Sequence, residues 1–138
     1  MAGAVARGDG LWMTDFEAAQ KAAAEKNLPI LIDFSGSDWC GWCIRLDKEV
    51  FATSAFQAFA KENLVLVLAD FPRKKLSAEQ VARNEKLAKQ YGVEGFPTVL
   101  LLDAKGDVKA RTGYRPGGAE AYVEHLKGLL SVPQGKMK

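Results

Sequence analysis

At 138 residues the chain has the size of one domain and is long enough to bury a core without disulfide staples. A hydrophobic fraction of 48% and a charged fraction of 26% are ordinary for a globular protein. A net charge of +2 is too small to argue for nucleic acid or an anionic membrane as partner, and no apolar run reaches the length of a membrane span.

Residues 1–10 and 132–138 read as tails around a single domain at residues 11–131. The start, "MAGAVARGDG", has no apolar core of signal-peptide length. The protein is therefore expected in the cytoplasm, or in an extracytoplasmic space if a leader has been removed. "TDFE" at Thr14–Glu17 fits a capping box, with Thr14 as cap, and the Ala-rich stretch after it predicts a helix to Asn27, ended with the help of Pro29. "PILIDF" (Pro29–Phe34) reads as a strand buried on both faces. "SGSD" is a loop, and a helix is expected from Cys40 through Phe51. "SAFQAFAKEN" predicts a second helix capped by Ser54.

Leu64–Asp70 is the next buried strand and "FPRKKL" a loop. Its basic run, "RKK" at Arg73–Lys75, is short enough to be a solvated loop. "SAEQ" (Ser77–Gln80) is a second capping box, opening a helix to about Gln90 that Gly92 ends. "TVLLLD" (Thr98–Asp103), the turn "DAKGD" and the polar "VKART" predict a hairpin, and a last helix covers Ala119–Leu130. The order α-β-α-β-α-β-β-α gives an α/β domain. Its first strands run parallel through right-handed crossovers, and a central mixed sheet carries helices on both faces.

Both cysteines and two of the three tryptophans lie in "DWCGWC", Asp38–Cys43. Structural zinc sites take four ligands from Cys and His, and only Cys40, Cys43 and His125 are available. A redox pair or two incidental thiols remain, and a C-x-x-C at a strand-to-helix junction favours the redox pair. Such junctions, outside the carboxyl ends of strands, are where sites form in open α/β sheets. A helix N-terminus offers unpaired N–H groups and the positive end of the dipole, so it favours a thiolate at Cys40, the nucleophilic form. Cys43, one turn on and less exposed, is placed to resolve a mixed disulfide formed at Cys40. Gly41 is expected to allow a tight turn and room for a substrate chain. Trp42 is expected to shape access, and Trp39 reads equally as an apolar rim or as plain packing. His125 reads as an ordinary helix residue.

The chain resembles the thioredoxin superfamily over roughly residues 16–130. "WCGWC" is similar to the family's W-C-G-P-C. "YGVEGFPTVLLLD" (Tyr91–Asp103) is similar to its Y-G-(V/I)-x-(G/S)-(I/V/F)-P-T stretch. "TGYRPGGAEAYVEHL" contains a glycine like the one before the family's last helix, and "LIDF" matches the strand that carries its buried acid. The resemblance implies a thioredoxin fold and a cis Phe96–Pro97 bond lying against the dithiol. Phe96 would offer backbone hydrogen bonds to an extended substrate, as in strand addition. It also implies that Asp33 moves protons to and from Cys43. A carboxylate inside an apolar strand is costly unless paired or protonated; the other reading puts Asp33 at a solvated strand end.

The departures are specific. Trp42 stands where the family has proline, so thioredoxin's reducing potential does not carry over. Asp33 and Cys40 are seven positions apart (40 − 33), one more than in thioredoxin, which threatens to rotate Asp33 away. Cys40 and Pro97 are 57 positions apart (97 − 40), with the excess assigned to "FPRKKLSAEQ". The lysine of thioredoxin's central strand has no match in "LVLVLAD". "SDWCGWCIRLDKEVF" is similar instead to extracytoplasmic thioredoxin-like proteins, including the soluble C-terminal domain of the transmembrane reductant carrier. The resemblance implies a thiol–disulfide oxidoreductase that reduces protein disulfides, and the chain is expected to act as a monomer. It would use no bound cofactor or metal beyond the Cys40–Cys43 pair and would draw electrons from another dithiol protein. An oxidase or isomerase on the same fold, or a non-catalytic binding module, are the alternatives.

Overall fold

Alternating buried strands and amphipathic helices set the architecture. A computed structural model describes residues 11–131, so the tails expected at 1–10 and 132–138 lie outside the described residues. The elements are β1 (Trp12–Met13), α1 (Phe16–Lys26), β2 (Ile30–Ser35), α2 (Gly41–Leu46) running into a π-helical turn (Asp47–Phe51), α3 (Ser54–Asn63), β3 (Val65–Asp70), α4 (Ala78–Gln90), β4 (Thr98–Leu102), β5 (Val108–Thr112) and α5 (Gly118–Ser131). The sheet order is β1-β3-β2-β4-β5. β1, β3 and β2 are parallel, while β4 is antiparallel to both β2 and β5. This is the mixed thioredoxin-fold sheet that the sequence implies, with one strand added. β1 is two residues long, too short for a periodicity to announce it.

β2 sits in the middle and is buried at every position, which is why it reads as a continuous apolar run. Its side chains alternate between two layers. Leu31, Leu66, Val99 and Leu101 face a core completed by Leu46, Val50, Phe51, Phe56, Tyr122 and Leu126, from α2 and its π turn, α3 and α5. Ile30, Ile32, Phe34, Leu100 and Leu102 face the opposite core, closed by Ala19 and Ala23 of α1 and Leu87 of α4.

Helix ends follow local chemistry, with two corrections to the expected caps. Asp15, not Thr14, caps α1, its carboxylate accepting from the Ala18 amide at 3.1 Å. Thr53, not Ser54, caps α3, its hydroxyl accepting from the Phe56 amide at 3.2 Å. Adjacent residues of both kinds make good caps, and the backbone that turns extended first takes the role. Ser77 caps α4 as expected. At its other end Gly92 adopts φ +64°, with the Gly92 and Val93 amides bonding the Lys89 and Ala88 carbonyls, a Schellman closure. Asn84, buried in α4, donates to the Asp70 carbonyl at 2.8 Å and so ties α4 to the end of β3.

Candidate active site

β2 ends at Ser35 and the chain turns through Gly36, whose carbonyl accepts from the Cys40 amide at 2.9 Å. Cys40 itself caps α2. Its backbone is extended (φ −90°, ψ 109°) and its Sγ accepts from the Cys43 amide at 3.3 Å, where a serine or aspartate oxygen would ordinarily sit. A sulfur anion at that position satisfies an orphan helix N–H and meets the positive end of the helix.

The two thiols are unbonded to one another in this structure. Cys40 is 8% exposed and Cys43 3%, so Cys40 is the more accessible of the two cysteines. Cys43 also accepts from the Gly36 amide at 3.4 Å. Burial, and next the neighbouring Cys40 thiol, push the Cys43 thiol up to about 12, while the Gly36 amide and the Ser35 hydroxyl pull the other way. Cys43 therefore rests protonated at neutral pH.

Across from the dithiol, the Phe96–Pro97 bond is cis. The Cys40 thiol donates to the Phe96 carbonyl at 3.7 Å. Trp39 bridges the two sides. Its indole N–H donates to the Phe71 carbonyl at 2.7 Å and its ring stands edge-on to Phe96 at 5.8 Å. It is 39% exposed, with one part in solvent and the rest packed on Phe96. Trp42 projects from the first turn of α2 and is 54% exposed. It lies 5.0 Å from the Tyr114 ring, with the Arg45 guanidinium over both rings. Tyr114 in turn donates to Glu49.

Gly41 corrects one expectation. It is the first residue of α2 and is not among the positive-φ glycines, so no tight turn depends on it. A Cβ there would meet nothing within 4 Å, so the space beside it is open. The glycine that geometry demands is Gly36, where a Cβ would lie 2.4 Å from the Trp39 ring.

Asp33 is 2% exposed, which rules out the solvated strand end. It pairs in register with Val99 and lies on the same face of β2 as Leu31, the face that α2 covers. Its charge raises the buried Tyr122 phenol, after desolvation. The turn before Cys40 is closed by the Trp39 and Cys40 amides on the Gly36 carbonyl, and Asp33 stays buried behind it.

Residues 16–127 match the model of the thioredoxin-like domain family. The chain belongs to the thioredoxin-like family. It is 39% identical over 122 residues to the disulfide bond reductase DsbH of Chlamydia pneumoniae, covering 88% of this chain and 73% of that protein. A solved structure described as DsbH oxidoreductase superposes with a TM-score of 0.85 at 36% identity, covering 96% of this chain and 92% of the other. Protein disulfide isomerase-like 5-3 of Oryza sativa subsp. japonica is 34% identical over 117 residues, and there the match spans 85% of this chain and only 23% of the larger protein. This thioredoxin-like chain is a thiol–disulfide oxidoreductase.

Sequence reasoning about this thioredoxin-like site missed Ser35, Gly36, Phe71, Tyr114 and the Arg45–Glu49 pair. Only Gly36 carried a signal, as a glycine just before the dithiol. The others are assembled by tertiary contacts. His125 bonds Thr112 at 2.8 Å and packs on Tyr122, an ordinary helix residue as expected.

Proposed function

We propose that the protein reduces disulfides of protein substrates. Cys40 attacks a substrate sulfur and forms a mixed disulfide, releasing the first substrate thiolate. Cys43 then attacks the Cys40 sulfur, the Cys40–substrate bond breaks, and the substrate leaves as a dithiol. The Cys40–Cys43 disulfide so formed is reopened by a separate dithiol protein, and the cysteine pair is the redox group, with no bound cofactor. Asp33 exchanges the Cys43 proton. Phe96 and Pro97 form the edge along which an extended substrate lies, Trp39 and Trp42 its apolar walls, and Gly41 the opening between them.

The observation that carries this reading is the approach of Cys40 Sγ to the Phe96 carbonyl at 3.7 Å beside the cis bond. A thiol this close to the Phe96 backbone supports the reading of Cys40 as the attacking sulfur and of Phe96 as the edge that pairs with a substrate strand. The likeness to a protein named a disulfide bond reductase supports the reducing direction. Insulin reduction with dithiothreitol tests it: the natural protein accelerates precipitation and Cys40→Ser does not. Equal rates for the two would end the reductase reading. A dithiol potential in the range of the family's oxidants, about −120 mV, would reverse the direction.

A further inference from the structure

Ser35 closes β2 and is 1% exposed. Its Oγ is buried and makes no hydrogen bond of ordinary geometry here. Strand alternation sets it on the face of Leu31 and Asp33, beneath α2. The next residue, Gly36, donates its amide to Cys43 Sγ at 3.4 Å, which brings the Ser35 end of β2 up to that sulfur. Ser35 also acts on the Cys43 thiol in the direction of the thiolate, against burial. A buried hydroxyl without a partner is costly to keep. A partner that exists only during turnover explains why it is kept.

We propose that Ser35 is a catalytic residue whose hydroxyl donates a hydrogen bond to Cys43 Sγ as that sulfur becomes a thiolate in the resolving step. The proposal rests on the reading of Cys40 as attacking and Cys43 as resolving thiol. In that step Cys43 gives up its proton, the Cys43–Cys40 S–S bond forms, and the Cys40–substrate S–S bond breaks. The electron pair leaves on the substrate sulfur, which takes up a proton. The dithiol loses two electrons and the substrate disulfide gains them. Burial disfavours the Cys43 anion, and two donors, the Gly36 amide and the Ser35 hydroxyl, offset that at the moment it forms. Donors of this kind act most strongly where water is excluded.

The test is a rapid acid-quench experiment with the reduced full-length chain and a disulfide-linked peptide. It follows formation of the mixed disulfide and its decay separately. Ser35→Ala is expected to form the mixed disulfide at the natural rate and to resolve it roughly tenfold or more slowly, the factor that one hydrogen bond to a charged group supplies. Ser35→Thr, which keeps the hydroxyl, is expected to resolve faster than Ser35→Ala. Resolution by Ser35→Ala at the natural rate overturns the proposal. So does an equal fall of both steps in Ser35→Ala, or a Ser35→Thr as slow as Ser35→Ala. If the natural protein forms no mixed disulfide at all, it is the reductase reading that fails, whatever Ser35 does.

Discussion

Cys43 ties the chemistry of the site to its stability. Its thiol is raised from an ordinary 9.0 to about 12, first by desolvation. Between those values the unfolded chain binds fewer protons than the folded one, so the slope of stability with pH is negative there. The contribution is complete below pH 9 and is lost as pH rises through about 12. Thermal unfolding of the reduced protein should therefore weaken from pH 9 upward more steeply than that of Cys43→Ser; parallel curves would contradict this. Gly36 makes a second residue-scale prediction. A methyl there meets the Trp39 ring at 2.4 Å, so Gly36→Ala must swing the indole off the Phe71 carbonyl. Tryptophan fluorescence should shift and insulin reduction should fall several-fold with Cys40 still present. At this scale the sequence shows the two sulfurs, because C-x-x-C is local. It hides Ser35 and Tyr114, because a serine in a strand and a tyrosine in a loop acquire roles only from what packs against them.

α2 is short, six residues before its π turn, and cannot hold itself in place by propensity. Its far end is fixed by Phe51, which contacts Trp12 at 5.1 Å, Phe56 at 4.9 Å and Tyr122 at 6.0 Å. Phe51→Ala should cost about 3–5 kcal/mol in denaturant unfolding, by lost burial and the cavity it leaves. A loss below about 1 kcal/mol would mean that the aromatic cluster does not anchor the helix. On the other side, the loop after β3 is pinned to the segment before Cys40. The Asp38 carboxylate accepts from the Arg73 and Lys74 amides at 2.8 and 3.0 Å, and Asp70 accepts from the Ser37 amide at 2.9 Å. Those two amides hold the Asp38 carboxyl below its ordinary 3.8. The pin is therefore complete above pH 3.8 and released as pH falls below it. Amide exchange at Arg73 and Lys74 should speed up in Asp38→Asn at neutral pH, and unchanged protection would reject the pin. The expected loop was legible as an insertion. Its attachment to the active site was not, since 35 positions separate Asp38 from Arg73.

One sheet serves two cores, and only one of them supports the dithiol. Leu100 and Leu101 are neighbours in sequence, both fully buried, and face opposite layers. Leucine-to-alanine at either should cost about 2–5 kcal/mol. Only Leu101→Ala opens the layer beneath α2, so only that variant should speed alkylation of Cys43 under native conditions. Equal alkylation in the two variants would show that the layers do not act separately. The sequence by itself determined the order of the helices and the four longer strands, the mixed sheet and the place of the dithiol at the end of a buried strand, because hydrophobic periodicity, glycines and the cysteine pair are local signals. Tertiary structure alone decided that Cys40 caps α2 within 3.7 Å of the Phe96 carbonyl and that Asp33 and Ser35 face the Cys43 side. It also decided that Trp39 reaches the loop after β3. Each of these depends on register and packing between segments far apart in the chain, and no local preference encodes such a distance.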